Sequence, residues 1–82
     1  MTLTAKHVGL LRIAAGRPDA HLVPPERLVG AALHRMAARL LELGVAEPVR
    51  VAAGPLQWFR TELNDATGLR LTQAGRVAAR DL

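Results

Sequence analysis

The sequence predicts a small α+β fold, mainly α, in which three N-terminal helices are followed by a β-hairpin and a C-terminal helix. Its 82 residues are enough for one domain, so we expect a single domain over residues 1–82. Half of the residues are hydrophobic, but the chain has one Trp, one Phe and no Tyr. A core of this composition must be built from Leu, Val and Ala, which favours helices. Apolar residues also recur at helical spacing in the first half and alternate with polar ones near the end.

The first helix is predicted over residues 5–15, where apolar residues recur three and four positions apart. Thr4 can cap its start, and Gly16 supplies a stop at its end. The segment 21–23 that follows is compatible with one short strand.

A second, short helix is predicted over residues 25–29, because Pro25 suits the first turn of a helix and Glu26 is favourable near its positive end. The third helix, over residues 31–43, has the clearest pattern in the chain, and Gly44 ends it. Its apolar side is formed by residues at spacings of three and four, namely Leu33, Met36, Leu40 and Leu43.

The second half of the chain predicts β structure. Residues 45–51 favour an extended segment, which Pro48 interrupts. A cluster of turn-forming residues at 64–68 predicts a hairpin that pairs about 57–63 with 68–72.

The stretch 56–63 leaves two alternatives open. Leu56, Phe59 and Leu63 fit helical spacing, whereas Trp58 beside Phe59 favours a strand. On a strand these two aromatic neighbours point to opposite faces, so one enters the core and the other lies near the surface. Packing in or at the edge of the core is the favoured interpretation, and an anchor for a protein partner is the alternative.

The last helix is predicted to begin at Gln73, directly after a strand over residues 69–71. The Thr72 hydroxyl can cap this helix, and Gly75 in its first turn permits close packing against a neighbouring backbone.

Three segments, LTAKHVGLLRIAAG (3–16), LHRMAARLLELGVAEP (33–48) and LRLTQAGRVAA (69–79), resemble winged helix-turn-helix domains of the MarR-like branch. They correspond there to the leading helix, to the recognition helix with the entry into the wing, and to the return strand of the wing with the start of the last helix. The chain resembles still more closely a group of small, uncharacterised proteobacterial winged-helix proteins. That second resemblance rests on residues 25–32, 40–47 and 58–61.

This resemblance implies a bacterial protein that binds double-stranded DNA, either as a small transcriptional regulator or as an accessory DNA-binding protein. Arg35 on the third helix can donate two parallel hydrogen bonds to guanine in the major groove or contact phosphate. Arginines of the wing would approach the minor groove or the phosphates. The residues expected to contact DNA are Ala31, His34, Arg35, Ala38 and Arg39 on the helix, and Arg60 and Arg70 in the wing.

Two alternatives to DNA binding stand beside this hypothesis. The formal charge of +4, from ten Arg and one Lys against seven carboxylates, is compatible with phosphate binding but equally with the codon bias of a GC-rich genome. The arginines would then be ordinary solvated side chains. The second alternative is an interaction module that contacts protein and no DNA, with an exposed apolar patch around Trp58 and the helix 5–15. A homodimer is compatible with either function.

No enzyme, cofactor or metal site is expected. The carboxylates form no catalytic motif, serine is absent, and no glycine-rich phosphate loop occurs. The three histidines fall on three different elements and the chain has no cysteine, which argues against a zinc site. The N-terminus does not resemble a signal peptide and no apolar run could span a bilayer, so a cytoplasmic location without a membrane partner is expected.

Overall fold

The structure, a computed structural model, describes residues 5–80, which form three helices and four strands. Within this range no helix combines the length and the apolar character that crossing a membrane requires. The elements in chain order are α1 (Ala5–Ala15), β1 (His21–Leu22), α2 (Gly30–Glu42), β2 (Ala46–Arg50), β3 (Phe59–Arg60), β4 (Ala66–Leu71) and α3 (Gln73–Arg80).

Strand β4 is the centre of a four-stranded antiparallel sheet. On one side it pairs with β2 along most of its length, from Thr67 to Leu71. On the other side β1 pairs with residues 69–70 and β3 with residues 66–67. Because β1 and β3 lie one after the other along the same side of β4, the sheet is three strands wide at each level.

Pro48 occupies a position in β2 where its missing N–H removes no hydrogen bond from this ladder. The amide of Val51 donates to the Ala66 carbonyl at 3.1 Å, and the amide of Thr72 donates to the Val45 carbonyl at 3.2 Å. Hydrogen-bonded pairs alternate along an antiparallel ladder, so the backbone of Pro48 turns away from β4 toward the open edge. The extended segment predicted here is confirmed as β2.

The three helices and the inner face of the sheet enclose one hydrophobic core. Trp58 belongs to this core, with only 3% of its surface exposed, and its indole N–H donates to the Leu22 carbonyl at 2.9 Å. The favoured interpretation of Trp58 is thereby confirmed, and Phe59 lies half-buried at the edge. The largest fully buried side chains are Leu11, Leu22, Leu40, Val45 and Leu69.

The predicted strand-to-helix corner is confirmed in detail. The Gly75 amide donates to the Thr72 hydroxyl oxygen at 3.0 Å, which caps α3, and the Thr72 hydroxyl itself donates to the Gly44 carbonyl at 2.6 Å. A Cβ atom on Gly75 would overlap the Val45 carbonyl oxygen, so only glycine allows α3 to approach the backbone just before β2 this closely. The predicted Thr4 cap of α1 lies outside the described residues.

The predicted winged helix-turn-helix architecture, with three N-terminal helices, is wrong. The described residues contain three helices in all, two before β2 and one after β4, together with a four-stranded sheet. The expected short helix at 25–29 is a single turn closed by the Leu28 amide on the Pro25 carbonyl at 3.1 Å. Val29 is extended (φ −138°) and Gly30 is left-handed (φ +58°), so the turn cannot run on as helix into α2.

The predicted hairpin is also shorter and shifted in register. The chain reverses over residues 61–65, where Asn64 is left-handed and its amide donates to the Thr61 carbonyl at 2.8 Å. Residues 66–68, expected to form the turn, belong to β4. Gly68 lies there because a Cβ would come within 2.8 Å of both the Leu56 carbonyl oxygen and Val51 Cγ1. The alternative left open for 56–63 resolves to a two-residue strand, β3.

Candidate functional site

Helix α2 separates its residues into a packed side and an exposed side, as the spacing of its apolar residues predicts. Ala37 and Leu40 are buried in the core, and Leu33 and Met36 pack against it. Glu42 shares the exposed side. All five residues expected to contact DNA from this helix are exposed, namely Ala31, His34, Arg35, Ala38 and Arg39.

Arg35 lies near the middle of that exposed side. Within residues 5–80 no carboxylate approaches its guanidinium closely enough to form an ion pair. Ala31 and Ala38 lie one turn before and one turn after it, and their short side chains leave the helix backbone uncovered on both sides of Arg35. The five donors of the Arg35 guanidinium are therefore accessible to an anionic or hydrogen-bonding partner.

Arg39, one turn further along α2, is less available than Arg35. Its Nη1 lies 3.6 Å from Oε1 of Glu42. It is also close enough to α1 to act on His7, because the pKa of His7 is lowered first by burial and second by the Arg39 charge. An anionic ligand that binds Arg39 would therefore compete with Glu42 for its guanidinium.

His34 joins α2 to the sheet. Its ring lies 5.8 Å from that of Phe59 on β3, with the two planes tilted by 34°. The pair forms one wall of an open cleft of about 520 Å³, which is lined by residues from the start of α2 and from 58–59. Arg35 lies at this cleft and Trp58 contributes to its lining, so the exposed side of α2 continues onto an aromatic surface.

The structure does not bring the two predicted arginines of the hairpin to this side of the molecule. Leu69 and Leu71 point into the helix-covered core, so Arg70 between them lies on the opposite face of the sheet. Its Nη2 donates to Oε1 of Glu47 at 2.6 Å and its Nε to the same oxygen at 3.0 Å. Register places Arg60 on that opposite face too, where its Nη1 donates to the Asn64 carbonyl at 2.8 Å.

A cluster that the sequence did not reveal lies between α1 and β1. Both guanidinium nitrogens of Arg17 that face Asp19 donate to its carboxylate, at 3.1 and 3.2 Å, and the His21 amide donates to it at 3.0 Å. The Arg17 hydrogen bonds and then the His21 amide lower the pKa of Asp19 to about 2. An Asp two residues before a strand is the available sequence signal, since its carboxylate can accept the amide two positions on.

A second surface, a groove that the sequence did not predict, lies on α1. The groove runs between α1 and the turn at 25–28, has a volume of about 590 Å³, and includes Met36 of α2. Ile13 on its wall is 63% exposed, which is high for a large apolar side chain. The sequence pointed to helix 5–15 as one place for an apolar patch, but the other expected contributor, Trp58, is buried.

Among residues 5–80 no cluster of His, Asp or Glu side chains is arranged to hold a metal ion. The candidate site is thus the exposed side of α2 with its aromatic cleft, which offers one accessible guanidinium, one imidazole and small residues between them. The chain matches no protein-family model, no curated protein and no solved structure.

Proposed function

We propose that this protein binds double-stranded DNA through the exposed side of α2. The observation that supports this best is Arg35, an accessible guanidinium on the exposed side of α2. Its neighbours there are Ala31, Ala38 and His34, while Arg39 and Glu42 form an ion pair further along the helix. A helix fits into the major groove of DNA, and Arg can pair with a guanine edge in two hydrogen bonds. Ala31 and Ala38 allow the helix backbone to approach the groove closely.

The net charge of the chain and two further side chains of α2 support the same proposal. The chain has a net formal charge of +4, which favours association with a polyanion. His34 is exposed beside Arg35 and adds a hydrogen-bonding ring to the same surface. Arg39 would contact phosphate in exchange for its ion pair with Glu42, at little net cost because such exposed pairs contribute about 0–1 kcal/mol.

The test is fluorescence anisotropy of a labelled mixed-sequence duplex over a series of salt concentrations. Wild type is compared with Arg35→Ala and with Arg76→Ala, a matched control because Arg76 is also an exposed arginine but lies on α3. Several phosphate contacts predict that affinity falls steeply with salt. Loss of Arg35 is expected to weaken binding by about tenfold, within the roughly 1–3 kcal/mol of one good base contact.

Two results would contradict the proposal. One is no detectable binding even at low salt. The other is an equal loss for Arg76→Ala and Arg35→Ala, which would indicate a diffuse charge effect without a specific helix surface.

The same salt series distinguishes a base contact from a phosphate contact. If Arg35 contacts a phosphate rather than a base, Arg35→Ala should instead reduce the slope of log affinity against log salt concentration by about 1.

A second candidate function, contact with protein and not with DNA, is favoured by one observation. The groove on α1 joins the exposed Ile13 to the partly buried Leu10, Leu28 and Met36 in one apolar surface, and a contiguous apolar surface is typical of a protein-binding site. Absence of DNA binding at low salt would favour protein binding over DNA binding as the function of this chain.

A further inference from the structure

The groove on α1 has an apolar floor and charged residues of both signs along it. Leu10, Ile13, Leu28 and Met36 supply the apolar part. Lys6 on the α1 wall and Glu26 on the opposite wall are both exposed, and neither forms an ion pair with any residue the structure describes. Arg27, also exposed, adds a second cation beside Glu26, so the complementarity of this surface to a second copy of itself rests on Lys6 and Glu26.

Gly9 lies on the α1 wall of this groove, and no contact within residues 5–80 explains why it is glycine. A Cβ at this position would meet no atom of a neighbouring element within 4 Å in the part of the chain that the structure describes, and its backbone is helical. Neither packing among those residues nor the backbone dihedral angles therefore require glycine here. Glycine inside a helix costs about 1 kcal/mol relative to alanine. A small residue on an exposed helix face is useful where a second helix must approach the backbone closely.

We propose that the groove is the interface of a two-fold symmetric dimer, in which α1 of each copy lies in the groove of the other. The helices cross at Gly9, and Ile13 of each copy is buried against Leu28 and Met36 of its partner. Lys6 of one copy meets Glu26 of the other, and the symmetry repeats this pair. The proposal does not depend on DNA binding.

The test is sedimentation equilibrium of the full chain without DNA over a wide range of concentration. Wild type is expected to associate to a dimer. Gly9→Leu should remain monomeric, because the new side chain occupies the crossing point. The same substitution should leave the melting temperature of the monomer unchanged or higher, since leucine is a better helix former and the position is open. Ala15→Leu, an exposed position of α1 outside the groove, is the matched control and should dimerise like wild type.

Charge reversal tests the two-fold arrangement itself. Lys6→Glu and Glu26→Lys should each raise the dissociation constant of the dimer by about five- to tenfold, because each places like charges opposite each other twice. The double variant should return it to near the wild-type value. Should Gly9→Leu fail to fold, Ile13→Lys provides the same block at an already exposed side chain.

A chain that sediments as a monomer at every concentration would overturn the proposal and leave the groove to a different protein partner. So would a Gly9→Leu variant that dimerises like wild type. A double charge variant that stays as weak as the single ones would overturn the two-fold pairing of Lys6 with Glu26.

Discussion

The arginine side chains of this protein differ in whether they already form an ion pair with a carboxylate. Arg17, Arg50 and Arg70 each pair with a carboxylate at 3.3 Å or less, whereas Arg35 has no such partner within residues 5–80. An arginine that must break a close ion pair before it contacts an anion gains less from the new contact. Arg35 starts without that cost, which is why the proposed DNA contact depends on it more than on Arg70.

Asp19 predicts a specific dependence of stability on pH. Its pKa is about 2 in the folded chain against an ordinary value of 3.8. A carboxyl whose pKa is lowered by folding stabilises the native state above the unfolded value and loses that contribution as the pH falls toward the folded one. We therefore expect the free energy of unfolding to drop between pH 3.8 and about 2, and Asp19→Asn to lack this part of the drop.

Urea unfolding at a series of pH values measures this effect. Glu62→Gln is the matched control, because Glu62 is exposed and makes no ion pair among the described residues. It should follow the wild-type pH profile. An Asp19→Asn profile parallel to wild type through the acid range would show that the Arg17–Asp19 contact does not persist in solution.

At the scale of elements, α2 begins without the side-chain cap that α3 has. Val29 precedes it in an extended conformation, with φ −138° and ψ 159°, and makes no capping hydrogen bond. That backbone conformation is the one a capping residue adopts, and the Val29 side chain is 74% exposed, so replacing it sacrifices little apolar burial. Val29→Ser is expected to stabilise the protein by about 1 kcal/mol.

The comparison with Val29→Ala separates the cap from the loss of the valine side chain. Only the serine variant should raise the midpoint of urea unfolding, with the slope unchanged. Equal midpoints for the two variants would mean that the first-turn amides of α2 gain nothing from a side-chain acceptor.

Elements whose ends depend on local chemistry were predictable from the sequence, and those that depend on distant pairing were not. α1 was predicted over its observed residues, and α2 within one residue at each end, because helical spacing and the glycine after each helix act locally. The start of α3 followed from the Thr72 cap in the same way. The turn at 25–28 was mistaken for a helix because Pro25 and Glu26 suit a first turn, while the break comes from the backbone of Val29 and Gly30.

The same distinction between local chemistry and distant pairing applies to the candidate site. The exposed side of α2 was predictable because a helix with one apolar stripe has only one opposite side. The positions of Arg60 and Arg70 were not, since they depend on the register of β4 with two different strands. Gly68 fixes that register through contacts with Val51 and Leu56, which no short-range pattern reveals.

At the scale of the whole molecule, one core connects every layer, and Leu69 lies at its centre. It is fully buried on β4, the strand that pairs with all the others. Leu69→Ala removes apolar contacts and leaves a cavity, which costs about 2–5 kcal/mol. A domain of this size has a total stability on the order of 5–15 kcal/mol, so the variant should be largely or partly unfolded at modest urea concentration.

Trp58 makes this loss directly measurable, because it is the single tryptophan of the chain and is 3% exposed in the native core. Its fluorescence and the far-UV circular dichroism should report the same transition, since the aromatic ring and the helices share one core. Leu63→Ala is the matched control: the same substitution at a side chain 85% exposed should change the free energy of unfolding by no more than about 0.5 kcal/mol. Equal effects of the two substitutions, or separate transitions for fluorescence and dichroism, would contradict a single cooperative core built on β4.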